Sequence, residues 1–245
     1  MQREDGLARL KALGFRDADA ELLWQHFDDA ERRGKPSHGH ARIDWLATQS
    51  FDAHARPKQI DDGRWDGNGA VGYLVLARVC DALIASPPRD ARLVVCERTF
   101  PTGMLGHHVR RLAEAGLIGV LTATSPARLG PPDGPKVAGT NPLAIGIPSW
   151  GSEPVVVDVS MGAVTWGDVV AGLASEDQLV PFGGEQWHKA FALALGLQLL
   201  VDSLVTQPGH GAVLLVARPH ADPVTALRAT GIRLPGDRQW KNVPK

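Results

Sequence analysis

Apolar positions in the first third of the chain recur at helical spacing. Leu7, Leu10 and Leu13 mark one face of a short helix ending near Gly14. Asp17 is placed to cap a longer helix whose buried face carries Leu23, Phe27 and Ala30, and Gly34 stops it. After a polar break, Ile43 and Leu46 resume the helical pattern. Residues 56–69 read as turns, with Asp66-Gly67-Asn68-Gly69 the strongest signal. Val71, Leu74, Val75, Val79 and Leu83 then predict a helix running toward Pro87-Pro88.

Further on, short apolar runs appear. Leu93–Cys96 and Ile118–Leu121 are predicted strands, separated by a helix on Leu105, Val109 and Leu112 that closes at Gly116. A long Pro/Gly loop spans 125–142, and strands follow at Leu143–Ile147 and Val155–Val159. Residues 190–205 are apolar nearly all round, which predicts a core helix covered on every side. Ala212–Ala217 is a last strand and 222–230 a last helix. Strands and helices alternate, but not strictly. The expected fold is therefore α/β, a mixed sheet with helices on its faces. There is no repeat, low-complexity tract or linker. Residues 1–245 are expected to form a single unit, with a helical part over about 1–55 and a sheet-and-helix core over about 56–245.

Composition narrows the field. A chain of 245 residues can bury a full core, and 44% hydrophobic with 22% charged residues is ordinary globular content. The net charge of −1, with Arg32-Arg33 and Arg110-Arg111 the densest basic pairs, argues against nucleic acid or an anionic membrane as the main partner. No apolar run follows Met1, so no signal peptide or membrane anchor is expected, and a cytoplasmic enzyme is. Cys80 and Cys96 lie in apolar stretches that suit buried free thiols.

Candidate chemistry concentrates in Ser37-His38-Gly39-His40-Ala41-Arg42. It holds a hydroxyl, an imidazole able to hand over a proton near neutral pH, and a guanidinium able to grip a carboxylate. With a helix starting at Gly39, His38 and Arg42 would be neighbours on its first turn. Such a pair suits a small acid that reacts beside its carboxylate, although the segment alone also reads as a capped polar turn. Asp158 ends an apolar strand, where it would cap the next turn or face a cleft. Asn141 precedes a proline and is expected to be extended, its amide free for a ligand or part of a plain turn. After Cys96 there is no G-x-G-x-x-G fingerprint, yet Thr102 and Gly103 precede a helix whose free amides would hold a phosphate. The histidines lack ligand spacing, so no metal site is expected. No G-x-S-x-G or activated cysteine supports a covalent hydrolase.

Taken in order, Ser37-His38-Gly39-x-x-Arg42, Asp66-Gly67-Asn68-Gly69, Ala115-Gly116-Leu117-Ile118-Gly119, Gly139-Thr140-Asn141-Pro142-Leu143-Ala144 and Val156-Val157-Asp158 resemble the malate/L-lactate dehydrogenase-like family. Those proteins are non-Rossmann NAD(P)-dependent reductases of 2-oxo acids and cyclic 2-imino acids. Residues 233–238 also resemble the family's C-terminal segment. The resemblance implies a mixed, largely antiparallel sheet flanked by helices, and a homodimer. It implies that His38 donates the proton with Ser37 beside it, that Asp158 orients or charge-balances the imidazole, and that Arg42 holds the substrate carboxylate. Thr140 and Asn141 would line the substrate site. Thr102, Gly103, Met104, Ser160 and Gln186 would meet NADPH or NADH.

Departures fall on the cofactor side. Pro101-Thr102-Gly103 stands where the family has His-Phe-Gly, and Glu185-Gln186-Trp187-His188-Lys189 stands where a Lys-Gly pair follows Gly183-Gly184. Trp166-Gly167-Asp168 passes quickly to Leu179, so a longer family segment is missing, and Trp187 would fill space a small residue leaves for cofactor. The leading expectation is an NAD(P)H-dependent reductase of a small carboxylated substrate. The alternatives are a non-redox isomerase, cyclase or dehydratase that has lost nicotinamide binding, and a catalytically silent protein.

Overall fold

The computed structural model describes residues 1–237, so Arg238, the last residue of the C-terminal motif, lies outside them. Helices α1 (Arg3–Ala12), α2 (Asp17–Arg32) and α3 (Ala41–Leu46) bring Leu10, Leu23, Phe27, Ile43 and Leu46 into one apolar cluster. α4 (Gly72–Ala85) completes that cluster with Tyr73 and Leu74, while its Leu76, Val79, Cys80 and Leu83 join a second cluster under the sheet. α4 is therefore buried along nearly its whole length.

Seven strands form the sheet among the described residues: β1 (Lys58–Asp61), β2 (Arg64–Asp66), β3 (Ala91–Glu97), β4 (Ile118–Ala123), β5 (Leu143–Ile147), β6 (Val155–Val159) and β7 (Ala212–Ala217). Their order is β1-β2-β3-β7-β4-β5-β6, and every pairing except β2 with β3 is antiparallel. The expected mixed, largely antiparallel sheet is present. The remaining helices are α5 (Leu105–Glu114), packed on β4 and β5, then α6 (Trp166–Val170), α7 (Trp187–Leu204) and α8 (Pro223–Arg228).

Four features differ from the expectations. The stretch read as turns holds the β1–β2 hairpin; β1 is exposed throughout, so no alternation of apolar and polar residues announced it. The β-α-β rhythm of residues 93–121 would set β3 beside β4, but they are not neighbours. β7, more than 80 residues downstream of either, slots between them and pairs with both, Leu215 standing opposite Leu93 and Val120. Asp17 does not cap α2; Arg16 holds the cap position and Asp17 pairs with Lys11 at 3.0 Å. α7 is not covered on every side: only Ala190, Ala194 and Val201 are buried, and Leu193, Leu199 and Leu200 are 50%, 56% and 47% exposed. Its neighbours touch one face, so the other meets solvent whatever its composition.

Two buried carboxylates tie the layers together. Asp19 of α2 sits between Arg56 and Arg78, both at 3.0 Å. Glu97 at the end of β3 pairs with Arg64 and accepts from the Thr206 amide at 2.7 Å and hydroxyl at 2.9 Å. Each carboxylate has more than one donor, so loss of a single arginine leaves the buried charge partly met. Cys80 and Cys96 are buried and free, and burial pushes the Cys80 thiol up to about 12. No helix among the described residues is long and apolar enough to cross a membrane. Thr122 of β4, Leu143 of β5 and Val159 of β6 stand in register, so those three strands end together at one edge of the sheet.

Candidate active site

A cavity of about 320 Å³ opens at that edge. That is the small end of the range for ligand pockets, about 300–1,000 Å³. Its lining is drawn from residues 34–45, Tyr73, residues 100–104, residues 123–128 from the end of β4, the ends of β5 and β6, and residues 165–168.

Pro36-Ser37-His38 forms one 3-10 turn, and α3 begins at Ala41, two residues later than expected. The Ser37 hydroxyl lies 3.1 Å from His38 Nδ1, and the Ser37 carbonyl accepts from Arg42 Nε at 2.7 Å. The three side chains are thereby fixed to one another. With Nδ1 occupied, Nε2 is the ring nitrogen left for a ligand. Arg42 is buried, its guanidinium carbon 4.8 Å from the centroid of the Trp45 ring, and its Nη groups make no ion pair among the described residues. Gly167 makes this approach feasible: a Cβ there would fall 2.4 Å from Arg42 Nη2 and 3.1 Å from His38 Cε1.

Electrostatics change the role read for His38. Burial of the ring, reinforced by Arg42 and Lys35, lowers its pKa to about 4, with Asp158 and Asp168 opposing. The imidazole is therefore neutral at pH 7 in the free protein, not poised near neutrality, because desolvation and a neighbouring cation both penalise its charged form. Asp158 lines the same cavity, but its Oδ2 pairs with Lys35 Nζ at 2.8 Å and makes no hydrogen bond to His38. Its charge favours the imidazolium while another group holds the ring.

Lys35 and Asp168 were not singled out from the sequence. Lys35 is 123 positions from its carboxylate, and no local pattern marks that pairing. Asp168 shows a partial signal, the Thr165-x-x-Asp168 capping box of α6, with the Thr165 amide and hydroxyl at 2.8 and 2.7 Å. Burial raises the Asp168 pKa, but hydrogen bonds from the Ser37 hydroxyl and Thr165 outweigh it and hold the carboxyl below its usual range. Ser37 thus stands between Asp168 and His38.

Thr140, Thr102, Gly103, Met104 and Ser160 line the cavity, and Asn141 and Gln186 do not. Asn141 is fully buried with φ 21°, not extended; its Nδ2 donates to the Ala194 carbonyl and to Gln198 Oε1, each at 2.9 Å. Its Nδ2 anchors α7 to the sheet edge and its Oδ1 accepts from the Ser125 amide at 3.3 Å, so both ends of the amide are engaged. Gln186 is exposed and accepts from Lys189 Nζ at 2.6 Å. Trp187 contacts His188 and Phe191, so it neither plugs the cavity nor borders it.

The segment before α5 is held from the core. The Met104 amide donates to His26 Nε2 at 3.0 Å, which removes it as a phosphate donor. Gly103 has φ 68°, and a Cβ there would lie 2.2 Å from Tyr73 Cε1 and 2.4 Å from His26 Nε2. Burial, with His107 and His108 nearby, keeps the His26 pKa well below its ordinary value. His26 was invisible to sequence reasoning, since one histidine on a helix face carries no sign of what it will accept from.

The lining fits the nicotinamide end of a dinucleotide. Phe100, Pro101, Met104 and Ala123 offer flat apolar surface, and the hydroxyls of Thr102, Ser125 and Ser160 offer partners for a carboxamide, while that of Thr124 is taken up by the Gly211 backbone. Among the described residues no three His, Cys, Asp or Glu side chains cluster as metal ligands.

Comparison with known proteins gives the family. Residues 6–179 match the malate/L-lactate dehydrogenase family. The chain is 30% identical over 174 residues to (2R)-3-sulfolactate dehydrogenase (NADP(+)) of Chromohalobacter salexigens, which covers 67% of this chain but 52% of that protein, about half its length. It is 25% identical to the Delta(1)-pyrroline-2-carboxylate/Delta(1)-piperideine-2-carboxylate reductase of Pseudomonas putida, across 93% of this chain and 84% of the other. The crystal structure of delta1-piperideine-2-carboxylate reductase from Pseudomonas syringae pv. tomato superposes with a TM-score of 0.77 at 25% identity, covering 96% of this chain and 89% of that one. The chain belongs to the malate/L-lactate dehydrogenase family.

Proposed function

We propose that this chain is an NAD(P)H-dependent reductase of a small 2-oxo acid or cyclic 2-imino acid. One observation carries the reading: His38 and Arg42, neighbours in the chain, line one cavity with Asp158, more than 100 residues away, and with Thr102, Gly103, Met104 and Ser160. The relatives support it, being by name a sulfolactate dehydrogenase and reductases of cyclic imino acids.

When bound, the nicotinamide supplies hydride to the carbon beside the carboxylate. Arg42 grips that carboxylate through its free Nη groups, a charge-assisted contact. The bound anion cancels one of the charges that hold His38 neutral, so the ring becomes more basic when substrate arrives. His38 Nε2 then carries the proton to the oxygen or nitrogen on which charge develops. Ser37 on Nδ1, backed by Asp168, steadies the imidazolium, and Asp158 with Lys35 balances charge nearby. Thr140 borders the substrate; Thr102, Gly103, Met104 and Ser160 border the nicotinamide. The same reading includes a cytoplasmic homodimer, and the exposed leucines of α7 suit burial against a second copy.

A non-redox enzyme on a carboxylated metabolite is favoured by one feature, the occupied Met104 amide together with Gln186 lying away from the cavity. Thermal-shift titration with NADPH and NADH, followed by a panel of keto and cyclic imino acids, separates the two. A rise in melting temperature and nucleotide oxidation support the reductase. Neither response with carboxylate binding intact establishes the non-redox enzyme.

A further inference from the structure

Arg128 is a cation in the cavity for which the reaction above has no use. Its guanidinium carbon lies 3.4 Å from the centroid of the Trp166 ring, and both residues line the cavity. Its Nε is buried without a hydrogen-bond partner, and no carboxylate pairs with it among the described residues. The two carboxylates that line the cavity are already engaged, Asp158 by Lys35 and Asp168 by Thr165 and Ser37. Arg42 and Arg128 are thus two guanidinium groups in one cavity without counter-charges.

They flank a single turn of chain. Gly167 lies against Arg42 and His38, and the preceding residue, Trp166, carries Arg128 on its ring. Stacking on an indole holds the planar fork in one orientation and offsets part of its desolvation, but it does not neutralise the charge. Arg42 is buried and Arg128 half-buried, and a cation withdrawn from water is costly until an anion meets it. One carboxylate on Arg42 leaves the second fork unmet.

We propose that Arg128, braced by Trp166, is a second anion subsite, and that the substrate is a dianion whose side chain carries a further carboxylate, sulfonate or phosphonate. The identity of the reacting end rests on the reductase reading; the pairing of two anions with two guanidinium forks does not. A monoanionic acid fills half of the charge the cavity presents, so Arg128 selects against it.

The test is calorimetric binding of lactate, malate, 3-sulfolactate and 3-phosphonolactate to the full chain without nucleotide, so that no acid turns over. The dianions are expected to bind about tenfold or more tightly than lactate, the worth of one hydrogen bond to a charged group. The strongest of them names the second group. Arg128→Gln should abolish the preference while leaving lactate affinity unchanged, and Arg128→Lys should restore only part of it. Equal affinity for lactate and the dianions in the unaltered protein overturns the proposal, and that comparison needs no variant to fold. So does a preference that survives Arg128→Gln, or a variant that weakens NADPH and spares the dianions, which would give the fork to the nucleotide. Dianion preference without reduction of any matching 2-oxo acid keeps the subsite and rejects the reductase.

Discussion

Residues 35–42 and residues 100–104 line the same cavity by opposite means. The first segment brings charge and protons: His38 and Arg42, fixed to each other through Ser37, and Lys35, which pairs with Asp158. The second brings a shaped backbone and apolar surface, and its position depends on His26, which lies 78 residues from the amide it receives. Chemistry that is local in the chain is robust and readable. A wall held in place from the core has no chemistry of its own to read, and it fails when a distant residue changes. Each perturbation below strikes one segment and asks whether the other notices.

The largest effect is expected from His38→Ala. It removes the proton carrier, and kcat should fall by about 10²–10⁴ while nucleotide affinity stays constant. An unchanged kcat takes His38 out of the reaction. Next is Arg42→Ala, for which kcat/KM should drop about a hundredfold and calorimetric lactate binding should weaken to match. Arg42→Lys should recover little, because a lysine cannot reproduce the fork. Unaltered lactate binding in either variant places the carboxylate elsewhere.

Striking the second segment should give the reverse pattern. His26→Leu leaves the Met104 amide without an acceptor and should cost about 1–3 kcal/mol in urea unfolding. Its Kd for NADPH should rise several-fold and its Kd for lactate should not. His26→Gln, which keeps an acceptor, should regain part of both losses. Equal loss of the two ligands would show that the segments are not separable.

Acid tests the same contact more gently. His26, His38 and His108 are held below their ordinary 6.5 chiefly by burial. The unfolded chain therefore takes up protons that the native chain refuses. Their contribution is complete above pH 6.5 and is lost as pH falls below it, down to about 4 for His38. Each histidine costs about 1.4 kcal/mol for each pH unit below that point, so His26→Leu should flatten the pH dependence of unfolding by that amount. Identical slopes would mean that His26 is not held neutral. The smallest effect belongs to Lys35→Met, which removes a cation that opposes the imidazolium and frees Asp158 to favour it. The His38 pKa, followed by NMR of the ring, should move up, and a downward move would exclude this account.

Short-range order decided what could be read in advance. His38, Ser37 and Arg42 were legible because six consecutive residues contain them, and Thr140 and Asp158 because they sit at strand ends flanked by recognisable loops. Lys35, Asp168, His26 and Arg128 were not. Each acquires its role from a partner on another element: a carboxylate on β6, a serine before α3, an amide before α5, an indole on α6. Asn141 was misread for the same reason, since its amide is taken by α7, more than 50 residues away. The poise of His38 was misread because an imidazole's ordinary pKa is a property of water, and this ring is out of it.

Apolar periodicity and turn residues were sufficient to locate α1 to α5, α7, α8 and five of the strands, since local backbone preference and one-sided burial act over a few residues. Pairing and cover lay beyond them. β7 enters between β3 and β4 because those two edges accept an antiparallel strand, which is a long-range choice. α4 and α7 are both apolar nearly throughout, yet α4 is enclosed by two clusters while α7 shows leucines to solvent. Hydrophobicity is carried by each residue, but exclusion from water is conferred by whatever packs against it, and that is set only when the whole chain has folded.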